Sequence, residues 1–76
     1  MNRDQIMQRL KDEQMKLVGL AHQYDGIKKL FDGAASQNDG LKCDEYRFQL
    51  HNILDMQLDL VASTMLLTRA FLEGED

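Results

Sequence analysis

Residues 46–72 have the sequence YRFQLHNILDMQLDLVASTMLLTRAFL, and a regular apolar rhythm runs through the whole segment. Because an α-helix turns once every 3.6 residues, side chains spaced alternately by four and three positions lie on one face. This spacing links Tyr46, Leu50, Ile53, Gln57, Leu60, Thr64, Leu67 and Phe71, which we call the first stripe. The first stripe predicts one long amphipathic helix.

The N-terminal half of the chain repeats this rhythm. Its apolar positions, the N-terminal stripe, are Ile6, Leu10, Leu17, Leu20, Tyr24, Ile27 and Phe31, and Glu13 interrupts them. The chain has no proline, and loop-forming residues cluster only in DGAASQNDG at residues 32–40. We therefore predict an all-α antiparallel helical hairpin, with helices at about 3–32 and 41–72 joined by a loop at about 33–40. The acidic tail 73–76 is expected to fray.

The ends of the helices are signalled by short polar residues. Asn2 and Gln5 have the spacing of a capping pair, in which each residue binds a backbone amide of the other. Gly33 is placed to end the first helix in a left-handed turn. Ser36 and Asp39 also have capping-box spacing and are expected to start the second helix.

Two glycines weaken the prediction of a continuous first helix. Gly19 and Gly26 each cost about 1 kcal/mol relative to alanine in a helix interior, and Asp25-Gly26 is also a turn dipeptide. The first helix is therefore either continuous or kinked or broken near Asp25-Gly26. The two glycines lie on one face, where a neighbouring helix has room to approach closely.

The size of the chain favours association. With 76 residues it is a single helical domain spanning 1–76, and small domains often need disulfides, a metal ion or self-association for stability. Cys43 is the single cysteine, so an intramolecular disulfide is excluded. We expect no metal ion and no cofactor, because the ligand spacings of zinc sites are absent.

A second stripe accompanies the first along the second helix, shifted by one residue. It consists of Leu54, Leu58, Val61, Met65, Thr68 and Leu72. Adjacent residues of a helix differ by about 100° in direction, so the two stripes form an apolar arc wider than one partner helix covers. Three interpretations follow: the first helix or the loop wraps over both stripes, the chain self-associates, or another protein covers the second stripe. The predicted partner-binding residues are Leu54, Leu58, Val61, Met65 and Leu72.

Polar residues interrupt both of the stripes that face each other in the hairpin. If the hairpin closes near residue 37, Gln57 lies across from Leu17 and Glu13 lies across from Val61. Glu13 and Gln57 then do not meet within one hairpin. They either meet across a dimer or reach water at the edges of the seam, and we favour the second interpretation.

Residues with catalytic or metal-binding chemistry are few. His51, Asp55 and Asp59 share one helical face, but no second histidine or cysteine is placed to complete a metal shell, so a solvated face is the simpler interpretation. Cys43 lies near a helix start without an evident base beside it. We predict no catalytic residue and a protein that is not an enzyme.

Charge and hydropathy narrow the class of partner. Residues 1–41 hold six basic and six acidic residues, whereas residues 42–76 hold three basic and seven acidic residues. A phosphate backbone requires clustered Lys and Arg, so we expect no nucleic-acid partner. We also expect no membrane partner and a cytoplasmic location, because the sequence contains neither a secretion signal nor the roughly 20 apolar residues that span a bilayer.

The layout of a long first helix, a polar loop and a tyrosine that opens a second apolar helix resembles the small hairpin co-chaperones of bacterial type III secretion needle subunits. This resemblance is one of architecture, so it implies no residue roles. Phage-encoded inhibitors and adaptors are similar in size and acidity. We predict a non-catalytic protein–protein interaction module, adaptor, co-chaperone or inhibitor. The alternative is a homodimeric four-helix bundle with a regulatory role, similar in plan to the small plasmid copy-control hairpin that binds RNA but lacking its basic face.

Overall fold

Two long helices form an antiparallel hairpin, as the apolar rhythm predicts. The computed structural model describes residues 2–74, in which α1 spans Arg3–Ser36 and α2 spans Gly40–Leu72. The molecule measures 56 × 15 × 12 Å. The predicted all-α fold class and helical hairpin are therefore confirmed.

The start of α1 is a capping box formed by Asn2 and Gln5. The side-chain oxygen of Asn2 accepts a hydrogen bond of 2.8 Å from the Gln5 amide, and the Asn2 amide donates one of 3.1 Å to Gln5 Oε1. Each bond satisfies an amide that has no partner in the first helical turn. The capping pair predicted from the sequence is confirmed.

The end of α1 lies beyond the predicted position. Gly33 does not end the helix, which continues to Ser36, and the left-handed residue is Asn38 with φ 55°. The Asn38 amide donates to the Ala35 carbonyl and the Asp39 amide to the Ala34 carbonyl, at 3.1 and 2.9 Å. This is the Schellman arrangement, with asparagine in the position that glycine usually takes. The predicted loop at 33–40 shrinks to residues 37–39 because Asn38 supplies the turn.

The start of α2 is capped by Asp39 alone. Its carboxylate accepts a hydrogen bond of 3.2 Å from the Lys42 amide. Ser36 does not cap α2, because it still belongs to α1 and its hydroxyl donates to the Asp32 carbonyl at 3.0 Å. The predicted pairing of Ser36 with Asp39 is therefore wrong.

Both glycines in question lie inside α1, which passes through Asp25-Gly26 without a break. A Cβ atom built on Gly19 or on Gly26 would have no heavy atom of another part of the chain within 4 Å. The close approach of a neighbouring helix that these glycines would permit is thus not observed within the hairpin. Their lack of a side chain has no packing role here.

The N-terminal stripe and the first stripe pack against each other to form the seam of the hairpin. Ile6 of α1 and Leu50, Ile53 and Leu67 of α2 are buried in it, together with Ala34 near the turn. The other members of both stripes, apart from buried Glu13, are half-buried. Two guanidinium groups cover the aromatic rings at the ends, with Arg3 5.3 Å from the centre of Phe71 and Arg47 5.8 Å from that of Phe31.

The C-terminal tail is described as far as Gly74. Glu73 follows α2 and its carboxylate accepts a hydrogen bond of 2.9 Å from Arg69 Nε, while Gly74 has a positive φ of 70°. The predicted fraying of Glu75 and Asp76 lies outside the described residues. Within residues 2–74, neither helix has a segment both long and apolar enough to cross a membrane.

Candidate protein-binding surface

The second stripe lies on the surface of the hairpin. The exposed fractions are 41% for Leu54, 66% for Leu58, 44% for Val61, 67% for Met65 and 75% for Leu72. Thr68, the polar member, is exposed as well. All five residues predicted to bind a partner therefore share one accessible strip along the C-terminal half of α2.

The geometry of two packed helices explains why this strip is uncovered. The first stripe faces α1, and the second stripe is turned about 100° away from it around α2. Residues 37–39 are too short a connection to fold back over the strip. The interpretation that the first helix or the loop covers both stripes is therefore wrong for the single chain.

The exposed apolar surface is wider than the second stripe. Leu66 is 68% exposed and follows Met65 directly, and Ala62 is exposed between Leu58 and Leu66. A shallow groove beside them is lined by Thr64, Met65, Thr68, Arg69, Leu72 and Glu73. Sequence reasoning missed Leu66, although the unbroken run Met65-Leu66-Leu67 holds more apolar residues than one seam requires. Phe48 and Leu41 of α2 are also exposed, nearer the turn.

The exposed side chain of Val18 in α1 lies on the same side of the hairpin as the second stripe. Lys16 and Gln23 line a groove with Met56 and Asp59 on one side of the seam. Val18 is turned about 140–160° from Lys16 and Gln23 around α1, which directs it to the other side. There it lines a shallow depression with Lys11, Gln14 and Met15 of α1.

Glu13, the polar residue that interrupts the N-terminal stripe, is hydrogen-bonded to two side chains of α2. Glu13 is buried, and its carboxylate accepts hydrogen bonds of 2.7 Å from Ser63 Oγ and 2.9 Å from Thr64 Oγ1. The expectation that Glu13 reaches water at the edge of the seam is wrong. The two hydroxyl groups of α2 solvate the carboxylate inside the seam instead.

These hydrogen bonds hold the pKa of the Glu13 carboxyl below its ordinary value. The largest cause is the hydrogen bond from Ser63, and desolvation opposes it by raising the pKa. Further lowering comes from the hydrogen bond from Thr64 and from the charges of Arg9 and Lys16. The ionised form is therefore the one that the seam stabilises.

The same contacts set the register of the hairpin. Closure of the hairpin near residue 37 predicted Glu13 opposite Val61. In the structure Glu13 lies opposite Ser63 and Thr64 instead. This shift moves Gln57 away from Leu17 towards the level of Gly19 and Leu20. Val61 is 44% exposed on the outer face of α2, where it belongs to the second stripe.

The residues with metal-binding chemistry lie apart from this surface or are solvated. His51, Asp55 and Asp59 are all exposed on α2. Among residues 2–74, no three His, Cys, Asp or Glu side chains are grouped closely enough to hold a metal ion. Cys43 is half-buried near the start of α2, far along the helix from the second stripe.

The strip thus consists of exposed aliphatic side chains on a regular helix. Arg69 and Glu73 form an ion pair of 2.9 Å beside Leu72, so charged groups border the apolar residues. No protein-family model, curated protein or solved structure matches the chain. The role of the strip is therefore inferred from the side chains that form it.

Proposed function

We propose that this protein is a non-catalytic protein–protein interaction module that binds through the second stripe of α2. The observation that carries the proposal is the contrast between two stripes of similar composition. The first stripe is buried or half-buried against α1, whereas five aliphatic side chains of the second stripe are exposed. An adaptor, a co-chaperone or an inhibitor each needs such a surface to cover part of another chain.

The energetics support binding at this strip. Moving one large aliphatic side chain fully from water into an interface contributes about 1.5–3 kcal/mol. Leu58, Met65 and Leu72 are 66%, 67% and 75% exposed, so each has most of its burial still to gain. Contiguous exposed apolar patches of this kind mark interaction sites on soluble proteins.

The form of the strip suits a helical partner. Its members recur at every third and fourth residue, which matches the spacing with which a second amphipathic helix inserts its own side chains. The flexible side chain of Met65 adapts to partners of different shape. Since α2 is a continuous helix already held by α1, little ordering of its backbone opposes binding.

Site-specific photo-crosslinking tests this function. A benzophenone amino acid replaces Leu58 in one variant and Asp59 in the control variant, in cells that naturally make the protein. Asp59 is exposed on the same helix but is turned about 100° from Leu58. We expect a discrete polypeptide adduct from position 58 that is absent from position 59 and is lost when Met65→Glu is added.

The adduct counts as support whether the captured polypeptide is another protein or a second copy of this chain. Absence of any polypeptide adduct at position 58 would contradict the proposal. An adduct that forms equally at position 59, or that survives Met65→Glu, would place the contact elsewhere on the molecule.

A further inference from the structure

The chain exposes more surface than a compact protein of its mass. Its accessible surface is 5762 Å² for 8.8 kDa, whereas a typical folded monomer of this mass exposes about 4,800 Å². The difference of roughly 1,000 Å² is close to the about 800 Å² that each partner loses in a protein–protein interface of standard size. A single protein–protein contact along one side of the hairpin is therefore large enough to bury this excess surface.

The second stripe is self-complementary when two copies of α2 run antiparallel. With a two-fold axis at the level of residue 63, between Val61 and Met65, every member of the stripe meets another member at the same level. The pairs join Leu54 to the partner's Leu72, Leu58 to the partner's Thr68, and Val61 to the partner's Met65. The symmetry repeats each pair once, so the contact buries the whole stripe.

A register shifted by one heptad pairs the C-terminal end of the stripe less well. Sliding the two helices by one heptad towards their N-termini keeps the seven-residue repeat, but it sets Leu72 against the partner's Arg47 and Thr68 against the partner's His51. An aliphatic side chain then faces a charged one. The register centred at the level of residue 63 avoids this mismatch.

The charges that flank the stripe are complementary in the same register. Asp55 and Arg69 lie at equal distances on either side of Ala62, each one residue beyond a member of the stripe. In the antiparallel pair Asp55 faces the partner's Arg69, and the symmetry makes this contact twice. Arg69 Nε already binds Glu73 at 2.9 Å, but a guanidinium group has further N–H donors.

Ala62 occupies the position nearest the axis on this flank. It faces its own counterpart, and its small side chain lets the two helices approach closely. Asp55 makes no ion pair within residues 2–74, so its charge is available for the contact.

We propose that the partner bound by the second stripe is a second copy of this chain. In the dimer, the two α2 helices pack antiparallel about a two-fold axis that passes beside Ala62, and each α1 flanks them in a four-helix assembly. This inference rests on the proposed function, since it names the occupant of the same surface. It adds a register and a pair of charge contacts that a different partner would not require.

Charge reversal tests the dimer. Sedimentation equilibrium of the full chain should give a mass of about twice 8.8 kDa. Asp55→Arg and Arg69→Asp each place like charges opposite one another, so each should weaken dimerisation about tenfold or more. Combining Asp55→Arg with Arg69→Asp restores opposite charges and should return the dissociation constant to near that of the unmodified chain.

Asp59→Arg is the matched control. It makes the same charge change on the same exposed helix, but its position is turned away from the two-fold contact, so dimerisation should be nearly unchanged. Leu58→Glu should give a monomer that keeps its helical circular dichroism. This second variant separates loss of the interface from loss of the fold.

Three results would overturn the inference: a monomer at every concentration up to the millimolar range, a dimer that survives Leu58→Glu, or single charge reversals that the double variant does not rescue. A monomer whose position 58 still crosslinks to another protein would reject the dimer and keep the proposed function. Absence of any adduct at position 58 would reject both.

Discussion

Ser63 of α2 donates a hydrogen bond of 2.7 Å to the buried carboxylate of Glu13 in α1. Thr64 donates a second one of 2.9 Å to the other carboxylate oxygen. An ionised group inside an apolar seam is costly unless it is hydrogen-bonded, so any shift of one helix along the other would break the pairing. The contact thus selects one register among those that the repeating apolar pattern permits.

The first prediction concerns the pH dependence of stability. The folded pKa of Glu13 lies below its ordinary value of 4.5, so Glu13 stabilises the fold fully above the unfolded pKa. This contribution should disappear as the pH falls below about 4.5 and through the lowered folded pKa. Urea titrations at a series of acidic pH values should show a smaller loss of stability for Glu13→Gln than for the unmodified chain.

The control for this measurement is Asp25→Asn, an exposed position on α1. It also removes one carboxylate but leaves Glu13 with its two donors, so the loss of stability that depends on Glu13 should remain in this variant. Equal pH profiles for Glu13→Gln and the unmodified chain would show that the Glu13 carboxyl titrates alike in the folded and unfolded states.

The second prediction concerns the hydroxyl groups around Glu13. Ser63→Ala with Thr64→Val removes both donors and leaves a buried carboxylate without them, so the thermal midpoint should fall by several degrees. Adding Glu13→Leu replaces the carboxylate with an apolar side chain of similar size and should restore the midpoint or raise it. Calorimetry of the single, double and triple variants measures the coupling, and additive effects would contradict it.

The third prediction concerns the glycines of α1. Gly19→Ala and Gly26→Ala should each stabilise the protein by about 1 kcal/mol, because alanine favours the helix and neither Cβ meets a neighbour within 4 Å. Gly74→Ala is the contrasting variant, since Gly74 has φ +70° and its Cβ would lie 3.1 Å from an Arg3 nitrogen. Chemical denaturation should show a gain for the first two and none for the third.

The fourth prediction compares how the two stripes of α2 contribute to folding. Leu58→Glu with Met65→Glu changes side chains that are 66% and 67% exposed, so the helical circular dichroism of the chain should persist. Ile53→Ala removes a buried side chain of the first stripe and should cost about 2–5 kcal/mol. Loss of folding in the glutamate variant would instead place the second stripe in the core.

The periodic parts of this structure follow from sequence alone. The apolar rhythm identified both helices, the seam and the second stripe, because the 3.6-residue repeat assigns a face to each residue without long-range information. The Asn2–Gln5 capping box was also predictable, since both partners lie within one helical turn.

The local sequence pattern was not enough to predict the residue at which α1 ends. Gly33 and Asn38 both tolerate a left-handed conformation, and the sequence places them near the same turn. Asn38 takes this role in the structure, so α1 gains the turn that contains Ala34, which is buried in the seam. The burial of Ala34 is a long-range contact that local propensity does not report.

Sequence by itself thus determined the helical class, the hairpin and the faces of α2, because these depend on a repeat contained within each helix. Tertiary structure decided the register, the pairing of Glu13 with Ser63 and Thr64, and the exposure of Leu66 beside the second stripe. A heptad pattern permits similar apolar contacts after each shift of seven residues along the helix. Hydrogen bonds between residues fifty positions apart form in only one alignment of the two helices.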